Sequence, residues 1–391
     1  WVSTAMMWDP VKALQQSFLR TKNSNQKEFD KMMNIRTNSS NNTVYADADG
    51  NIAYYHGNFI PKRDINFDYK KPVDGSNPKT DWKGLHDLKD NIFLVNPASG
   101  WIQNCNSTPF TSAGASSPRP ENYPGYMSYS PENYRGVHAI SLLSKAKNLT
   151  IDKMIELAYD PYLPGAEELI RGLILAYNSN PVNNDEMKTA IDLLKNWDYK
   201  VSSESKAMTI SQFYLNTYIN SGKIPAGTHL MEKVNYMSSK SSANERLEIF
   251  ANSLADLKRD FGSVETAWGE FNRYQRINGD INQNFNDALP SIPIGMASGE
   301  WGALASFGTR KGSGTKRQYG VAGNSFVAVV EFGKKVQAKS MLAGGQSADP
   351  KSVHFDDQMQ RYADRKFKTV AFYREDVLKR AESRYHPGDK N

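Results

Sequence analysis

Apolar residues recur at helical spacing in two parts of the chain. The first part contains VKALQQSFL and QKEFDKMM, whose apolar positions predict helices up to about residue 40. The second runs from 136 to about 285, where Thr150 or Asp152 and Asn184 fit N-cap positions. A glycine also follows RLEIFANSLADLKRDF, as at many helix C-termini. The leucine, isoleucine and methionine stripes of these segments predict helices that pack through an apolar core.

Shorter apolar runs predict strands on either side of the long helical region. NTVYADADGNIAYYHG has two β-branched and aromatic runs around the turn residues 47–51, which predicts a hairpin. Alternate aspartates also occur in calcium loops, but the remaining ligands of such a loop do not follow, so the turn is preferred.

The C-terminal part predicts further strands. A hairpin is predicted around Gly333 in SFVAVVEFGKKVQAKSMLAGG, then a helix in SVHFDDQMQRYADRKF and a last strand in KTVAFY. Strands at both ends with helices between them predict an α+β fold whose two strand regions meet in one sheet system.

Two long stretches carry little periodicity. Residues 60–100 are rich in Pro, Asp, Lys and Gly and predict an irregular crossing, whereas residues 111–134 are rich in Pro, Ser and Tyr. Long loops inside compact domains are often lids or pocket walls. The tyrosines of 111–134 therefore suit a pocket lining, although they could equally cover the core from outside.

Composition restricts the class of protein. The 391 residues are 39% hydrophobic and 23% charged, which fits a soluble globular protein with one large core or two. The net charge of +6 is small for this length. RKGSGTKR at 310–317 has the Gly and Ser of a solvated loop, which is preferred over a phosphate-binding patch. Basic residues are not interleaved with stacking aromatics, so no nucleic-acid partner is expected. No apolar run approaches the roughly 20 residues of a membrane span, so no membrane partner is expected.

Cysteine and histidine usage limits the chemistry. One cysteine excludes an internal disulfide framework and a multi-thiolate zinc site, and the six histidines lack metal-ligand spacing. No cofactor is therefore expected. The start, WVSTAMMWDP, lacks the basic and apolar regions of a signal peptide, but an exported protein would already have lost one.

The stretch WIQNCNSTPF at 101–110 places two carboxamides, Asn104 and Asn106, after an apolar pair. One interpretation is a turn, because Asn, Ser and Pro are turn residues. The other is a reaction centre, in which an amide NH2 faces charge that develops during catalysis. Taken by itself, the stretch favours the turn.

The only cysteine, Cys105, lies between these two asparagines. A thiol nucleophile would need a neighbouring base, and His56, His86 and His138 are the nearest histidines in sequence. Buried lone cysteines more often pack as small apolar side chains, and that interpretation is preferred.

Five separate stretches together resemble one family, the penicillin acylases. These are N-terminal-nucleophile amidohydrolases that include penicillin G acylases, cephalosporin acylases and acyl-homoserine-lactone acylases. The stretches occur in the family's order and at roughly its spacing: NTVYADADGNIAYYHGNFIPKR, DWKGL, NPASGWIQNCNSTPF, ENYRGVHAISLL and GGQSADPKSVHFDDQM. Any one motif is weakly specific, so the ordered set carries the resemblance, which is strongest at 42–143 and 320–377.

The resemblance implies a fold and a reaction. The fold would be a four-layer αββα N-terminal-nucleophile hydrolase, with this chain as the larger C-terminal part of the β chain, including a helical insertion. Such enzymes are precursors that cut themselves into an α chain and a β chain. The β chain begins with a serine whose free α-amino group is the base for its own hydroxyl. The implied activity is hydrolysis of an N-acyl amide through an acyl-enzyme.

Two residues of this chain match catalytic positions of the family. In the family's N-x-N-x-x-P motif, the asparagine three places before the proline corresponds to Asn106, not Asn104. Its NH2 would complete an oxyanion hole with a backbone N–H from elsewhere. The family's arginine corresponds to Arg135 in ENYRGVHAI. There it would orient the asparagine and, as a nearby cation, favour the neutral form of the α-amino group. By itself, Arg135 would be interpreted as a surface arginine that opens a helix.

The chain also departs from the family pattern. Trp1 is not Ser, Cys or Thr, so the nucleophile is expected on a segment outside this chain, which alone is expected to be inactive. The expected partners are a companion α chain and an N-terminal β segment from the same precursor, and a small N-acyl substrate. The family's calcium-binding aspartate has no clear counterpart in 111–134, so calcium is possible only by family. The family location implies the bacterial periplasm or secretion.

The alternative function is a non-catalytic binding or structural relative that kept the fold. In either case three regions are expected along the chain. Residues 1–143 would hold the first part of the sheet core with the Asn and Arg motifs, and residues 144–290 a mainly helical region. Residues 291–391 would return strands and a helix to the sheet core.

Overall fold

A computed structural model describes residues 2–4, 6–38, 41–386 and 388–389. Trp1, on which the expectation of a missing N-terminal nucleophile depends, lies outside these residues. The chain divides into two compact units, residues 1–147 and 148–391. The three-region division expected from the sequence stays a prediction.

Both units combine helices with strands, which confirms the α+β class. In the first unit the elements are α1 (Pro10–Arg20), α2 (Gln26–Met33), β1 (Asn42–Ala46), β2 (Ile52–His56), β3 (Phe93–Val95) and α3 (Tyr134–Leu143). In the second unit the helices are α4 (Ile151–Ala158), α5 (Pro164–Ser179), α6 (Asp185–Lys195), α7 (Lys206–Asn220), α8 (Leu230–Asn235), α9 (Ala243–Phe261), α10 (Trp268–Phe271), α11 (Met359–Ala363) and α12 (Arg374–Arg380). Its strands are β4 (Asn272–Tyr274), β5 (Ile292–Pro293), β6 (Phe307–Lys311), β7 (Gln318–Gly323), β8 (Phe326–Glu331), β9 (Gln337–Leu342) and β10 (Lys368–Thr369).

The described strands form three separate sheets, with the orders β1-β2-β3, β5-β4-β7-β6 and β10-β9-β8. The prediction that the two strand regions meet in one sheet system is therefore wrong, because the described strands pair in three sheets. Each hairpin instead pairs with a short neighbouring strand of its own unit, so its backbone hydrogen bonds are satisfied locally. The basic stretch at 310–317 joins β6 to β7 through a turn at Gly314, which has φ +75°.

The hairpin predicted around residues 47–51 is confirmed by the antiparallel pairing of β1 with β2. Asp47 Oδ1 accepts hydrogen bonds from the backbone N–H of Asp49 (3.0 Å) and Asn51 (2.9 Å). Gly50 has φ +87°, a conformation that glycine adopts without steric cost. The Asp47 carboxylate therefore builds the turn.

The first sheet holds the backbone that leads into the 101–110 stretch. β3 pairs with β2, and Asn96 follows β3 with φ +46°. Asn96 Oδ1 accepts a hydrogen bond from the backbone N–H of Ile52 at 2.9 Å, which holds the exit of β3. Beneath the sheet, Phe29, Met33 and Tyr55 belong to one buried cluster, so α2 supports this end of the unit.

The helical region of the second unit follows its sequence signals. Thr150, rather than Asp152, caps α4, because its side chain accepts a hydrogen bond from the backbone N–H of Lys153. Asn184 caps α6 in the same way, and α9 ends at Gly262 with φ +82°. Side-chain caps of this kind satisfy backbone N–H groups that have no partner inside the helix.

The last predicted helix is much shorter than its sequence pattern indicates. Only Met359–Ala363 is helical, and turns precede it. The guanidinium of Arg276 binds the backbone carbonyls of Gly345 (3.3 Å), Ser347 (2.8 Å) and Phe355, and lies over the Phe355 ring. Because these contacts commit the Phe355 carbonyl, the segment forms turns instead of helix. The predicted β8–β9 hairpin is confirmed, whereas the last strand, β10, has only two residues.

Candidate active site

Asn106 lies on an exposed turn and has φ +58°. Its backbone N–H donates to Asn104 Oδ1 at 3.4 Å, and the turn is closed by the Gln103 N–H, which donates to the Ser112 carbonyl at 2.8 Å. Asparagine tolerates the left-handed conformation better than most residues, since its side chain is short and polar. The stretch is therefore a turn, as its composition predicts, and it presents the Asn106 side chain to solvent.

Arg135 lies in the first turn of α3, whose N-cap is Asn133. Its Nη2 donates a hydrogen bond to Asn106 Oδ1 at 2.9 Å, across 29 residues of sequence. A guanidinium has donors only, so it fixes which amide atom of Asn106 it holds. Asn106 Nδ2 then points away from the arginine, and within the described part of the chain it has no hydrogen-bond partner. The two residues predicted from the sequence are thus brought into contact.

The charge at this helix start has an unusual sign. A cation in the first turn opposes the helix dipole, so helix stability does not explain an arginine at position 135. The preceding carboxylate, Glu132, accepts hydrogen bonds from the Thr111 hydroxyl (2.7 Å) and the Asn133 N–H (2.8 Å). The guanidinium and the helix N-terminus together favour negative charge beside Asn106.

The turn and α3 are joined by contacts that sequence reasoning missed. Asn133 Nδ2 donates to the Cys105 carbonyl at 3.0 Å, while Asn133 Oδ1 accepts from the Gly136 N–H at 3.0 Å. Ser107 is fully buried, and a Cβ at Gly136 would lie 2.9 Å from the Ser107 Cβ, so α3 approaches the turn closely. Gly136 permits this approach because it has no Cβ.

Cys105 does not have the surroundings of a nucleophile. Burial raises the pKa of its thiol, and the lowering effect of Arg135 is smaller. A reactive cysteine needs a lowered pKa. Two of the three candidate bases have other partners, since His56 binds the Tyr54 hydroxyl and His86 the Tyr126 hydroxyl. The structure therefore favours the packing interpretation of Cys105.

A cavity of about 440 Å³ opens next to the turn in the first unit. It is lined by aromatic, polar and charged side chains that include Phe67, Asp68, Lys70, Phe110, Tyr126 and Tyr129. Two of the tyrosines in 111–134 therefore line a pocket, whereas Tyr134 is only 4% exposed and belongs to the core. The sequence pattern did not indicate that the irregular crossing at 60–100 supplies the other wall.

A larger cavity of about 820 Å³ lies in the second unit, among α7, α9, β6 and β7. Its charges are largely paired: Asp260 binds Lys311 at 2.9 Å and Arg259 at 3.0 Å. Neither Asn106 nor Arg135 lines it. Size alone therefore does not identify the reactive site, and the oriented amide at the first-unit turn is the better candidate.

Acidic side chains are few between the Asn and Arg motifs. Over the described ranges, no group of three or more His, Cys, Asp or Glu side chains could hold a metal ion. Between the Asn and Arg motifs the acidic residues are Glu121 and Glu132, and Glu132 is already engaged by Thr111 and Asn133. Calcium binding therefore stays a prediction from the family resemblance.

The fold is similar to that of a solved enzyme. The structure superposes on a thermostable penicillin G acylase from Alcaligenes faecalis with a TM-score of 0.61 and 18% sequence identity, covering 97% of this chain and 73% of that chain. A curated relative, penicillin G acylase of Escherichia coli, is 44% identical over 68 residues, which span 17% of this chain and 8% of the relative. The first comparison shows the fold, and both relatives are penicillin acylases.

The family model described as penicillin amidase matches residues 1–379. The chain therefore belongs to the penicillin amidase family, as its five ordered motifs predicted. None of the helices in the described part of the chain is long and apolar enough to cross a bilayer.

Proposed function

We propose that the complete protein hydrolyses an N-acyl amide bond through an acyl-enzyme on an N-terminal serine that lies outside this chain. Family membership supports amide hydrolysis as the reaction class. The observation that carries the residue assignment is the 2.9 Å hydrogen bond from Arg135 to the Asn106 amide oxygen, on an exposed turn. This contact leaves an oriented N–H donor at the surface.

The proposed reaction assigns one task to each residue. The serine Oγ attacks the amide carbonyl and its proton passes to the α-amino group, which generates a tetrahedral oxyanion. Asn106 Nδ2 donates to that oxyanion, together with a backbone N–H from the companion segment. Arg135 keeps the amide from rotating and disfavours protonation of the α-amino group. Collapse expels the amine, which takes the proton, and water then hydrolyses the ester.

The first test concerns the nucleophile. We expect Edman sequencing or intact mass of every polypeptide in the processed native protein to show a companion segment that begins with serine. A start other than Ser, Thr or Cys, with no turnover of N-acyl amides, would instead establish the binding or structural alternative.

The second test concerns Asn106. We expect Asn106→Ala in the complete protein to lower kcat about 10²–10³-fold, since removing one oxyanion donor typically has this effect. Asn148→Ala is a matched control, because Asn148 is also exposed and has φ +50°. It should leave kcat unchanged. A loss below about tenfold in Asn106→Ala would contradict the assignment.

We further propose that the 440 Å³ cavity receives the acyl group, because Thr108 and Phe110 of the turn that carries Asn106 line it together with the ring of Tyr129. Such a pocket distinguishes acyl chains by only about 1–3 kcal/mol per methylene. A panel of aromatic and straight-chain N-acyl substrates should therefore show graded kcat/KM values. Tyr129→Ala should change the order of the substrates by kcat/KM. Asn106→Ala should lower kcat/KM by the same factor for every substrate.

The proposed partners and compartment rest on membership of the penicillin amidase family. The companion α chain and N-terminal β segment would come from one exported precursor, with the mature protein in the bacterial periplasm or outside the cell. Fractionation of cells expressing the full-length precursor should find the processed chains together outside the cytoplasm. Processed chains confined to the cytoplasm would contradict this proposal.

A further inference from the structure

The Cys105–Asn106 peptide unit is held at both of its polar atoms. Its carbonyl oxygen accepts a hydrogen bond from Asn133 Nδ2 at 3.0 Å. Its N–H donates to Asn104 Oδ1 at 3.4 Å. Because a peptide unit is planar, holding these two atoms fixes the plane that precedes the Asn106 Cα. The direction of the Asn106 side chain follows from that plane.

Asn133 also determines where α3 begins. Its Oδ1 accepts from the Gly136 N–H at 3.0 Å, its φ and ψ are extended, and its carbonyl accepts from the Val137 N–H at 3.1 Å. Arg135 is two residues further along the same first turn. One carboxamide thus binds the helix that carries Arg135 through its oxygen and the turn that carries Asn106 through its nitrogen.

This double contact needs a carboxamide. A helix cap requires only an acceptor, so Asp, Ser or Asn would serve α3 about equally. The contact with the Cys105 carbonyl requires a donor at the same time. A carboxamide offers the acceptor and the donor on two different atoms, whereas a serine hydroxyl has one oxygen for both contacts. The capping requirement alone does not explain the choice of residue.

We infer that Asn133 is a positioning residue for the oxyanion site: it holds the Asn106 side chain in place beside Arg135 and acts on kcat through the placement of Asn106. This inference rests on the proposed function. Asn133→Asp would keep the cap, but would place a carboxylate oxygen against the Cys105 carbonyl oxygen and thereby turn the peptide unit. A misplacement of about 1 Å can lower the rate about 10²-fold, and we expect a loss of at least about tenfold here.

The experiment compares Asn133→Asp with Asn184→Asp in the complete processed protein. Asn184 caps α6 through a 2.9 Å hydrogen bond from the Met187 N–H, so the two variants share their chemical change and their capping role. With active sites counted by a covalent serine reagent, Asn133→Asp should lower kcat at least about tenfold with little change in KM. Asn184→Asp should leave both constants unchanged. Asn133→Ser, which also keeps a cap, should behave like Asn133→Asp.

A double-mutant cycle separates positioning from a general loss of structure. In an Asn106→Ala background the amide to be positioned is gone, so Asn133→Asp should then lower kcat less than about twofold. An equal loss in both backgrounds, or wild-type kcat in Asn133→Asp, would overturn the inference. If Asn106→Ala itself retains wild-type kcat, the proposed function fails instead, and the two failures are thus distinguishable.

Discussion

Replacing Arg135 tests whether its hydrogen bond to Asn106 has a catalytic role. The guanidinium donates to the amide oxygen at 2.9 Å, and Arg135 is half-buried while Asn106 is exposed. A hydrogen bond from a charged donor contributes about 1.5–3 kcal/mol, and exposure places this one at the lower end. About 1.5 kcal/mol corresponds to roughly a tenfold change in rate. Arg135→Lys keeps the charge without the planar donor, so we expect kcat to fall about tenfold.

Arg135→Met removes the charge as well, and its effect should depend on pH. A cation near the α-amino group lowers the pKa of that amine, which is about 7.7–8.0 when unperturbed. Without the cation the pKa rises, so the acidic limb of the kcat/KM profile should move to higher pH. The assay is the pH dependence of kcat/KM for wild type, Arg135→Lys and Arg135→Met. Superimposable profiles, with kcat within about twofold of wild type, would refute the reasoning.

Two other substitutions give independent predictions. Gly136→Ala should lower the free energy of unfolding by about 1–2 kcal/mol, since crowding against Glu132 and Ser107 outweighs about 1 kcal/mol of helix propensity. Gly333→Ala, where a Cβ would meet open space, should be neutral; equal thermal unfolding midpoints for both variants would contradict the close approach. Cys105→Ala should keep kcat within about twofold, and native Cys105 should react slowly with iodoacetamide because burial raises the pKa of its thiol. Rapid alkylation with loss of activity would contradict this.

Local signals in the sequence predicted the local structure well. The Asp47 turn and the glycine at the end of α9 were predicted because each depends on residues within a few positions of one another. The helix expected over SVHFDDQMQRYADRKF mostly failed to form for the opposite reason. Arg276 lies 79 residues from Phe355, whose carbonyl it binds, and no spacing rule reveals such a contact.

The candidate site was likewise predictable only in part from the sequence. Asn106 and Arg135 were found through the ordered family motifs, and the structure places them in contact. The supporting role of Asn133 could not be predicted, because a capping asparagine looks the same whether or not its nitrogen also binds a carbonyl 28 residues away. The walls of the neighbouring cavity were also hidden, since Phe67 and Tyr129 come from two irregular stretches without periodicity.

The most direct test of the oxyanion role of Asn106 is a crystal structure of the complete processed protein with a boronic acid bound to the proposed serine. The tetrahedral boronate oxygen occupies the place of the oxyanion. We predict that Asn106 Nδ2 lies about 2.7–3.1 Å from that oxygen, with Oδ1 still bound to Arg135. An Asn106 side chain that faces solvent, with the boronate oxygen held entirely by other donors, would contradict the account.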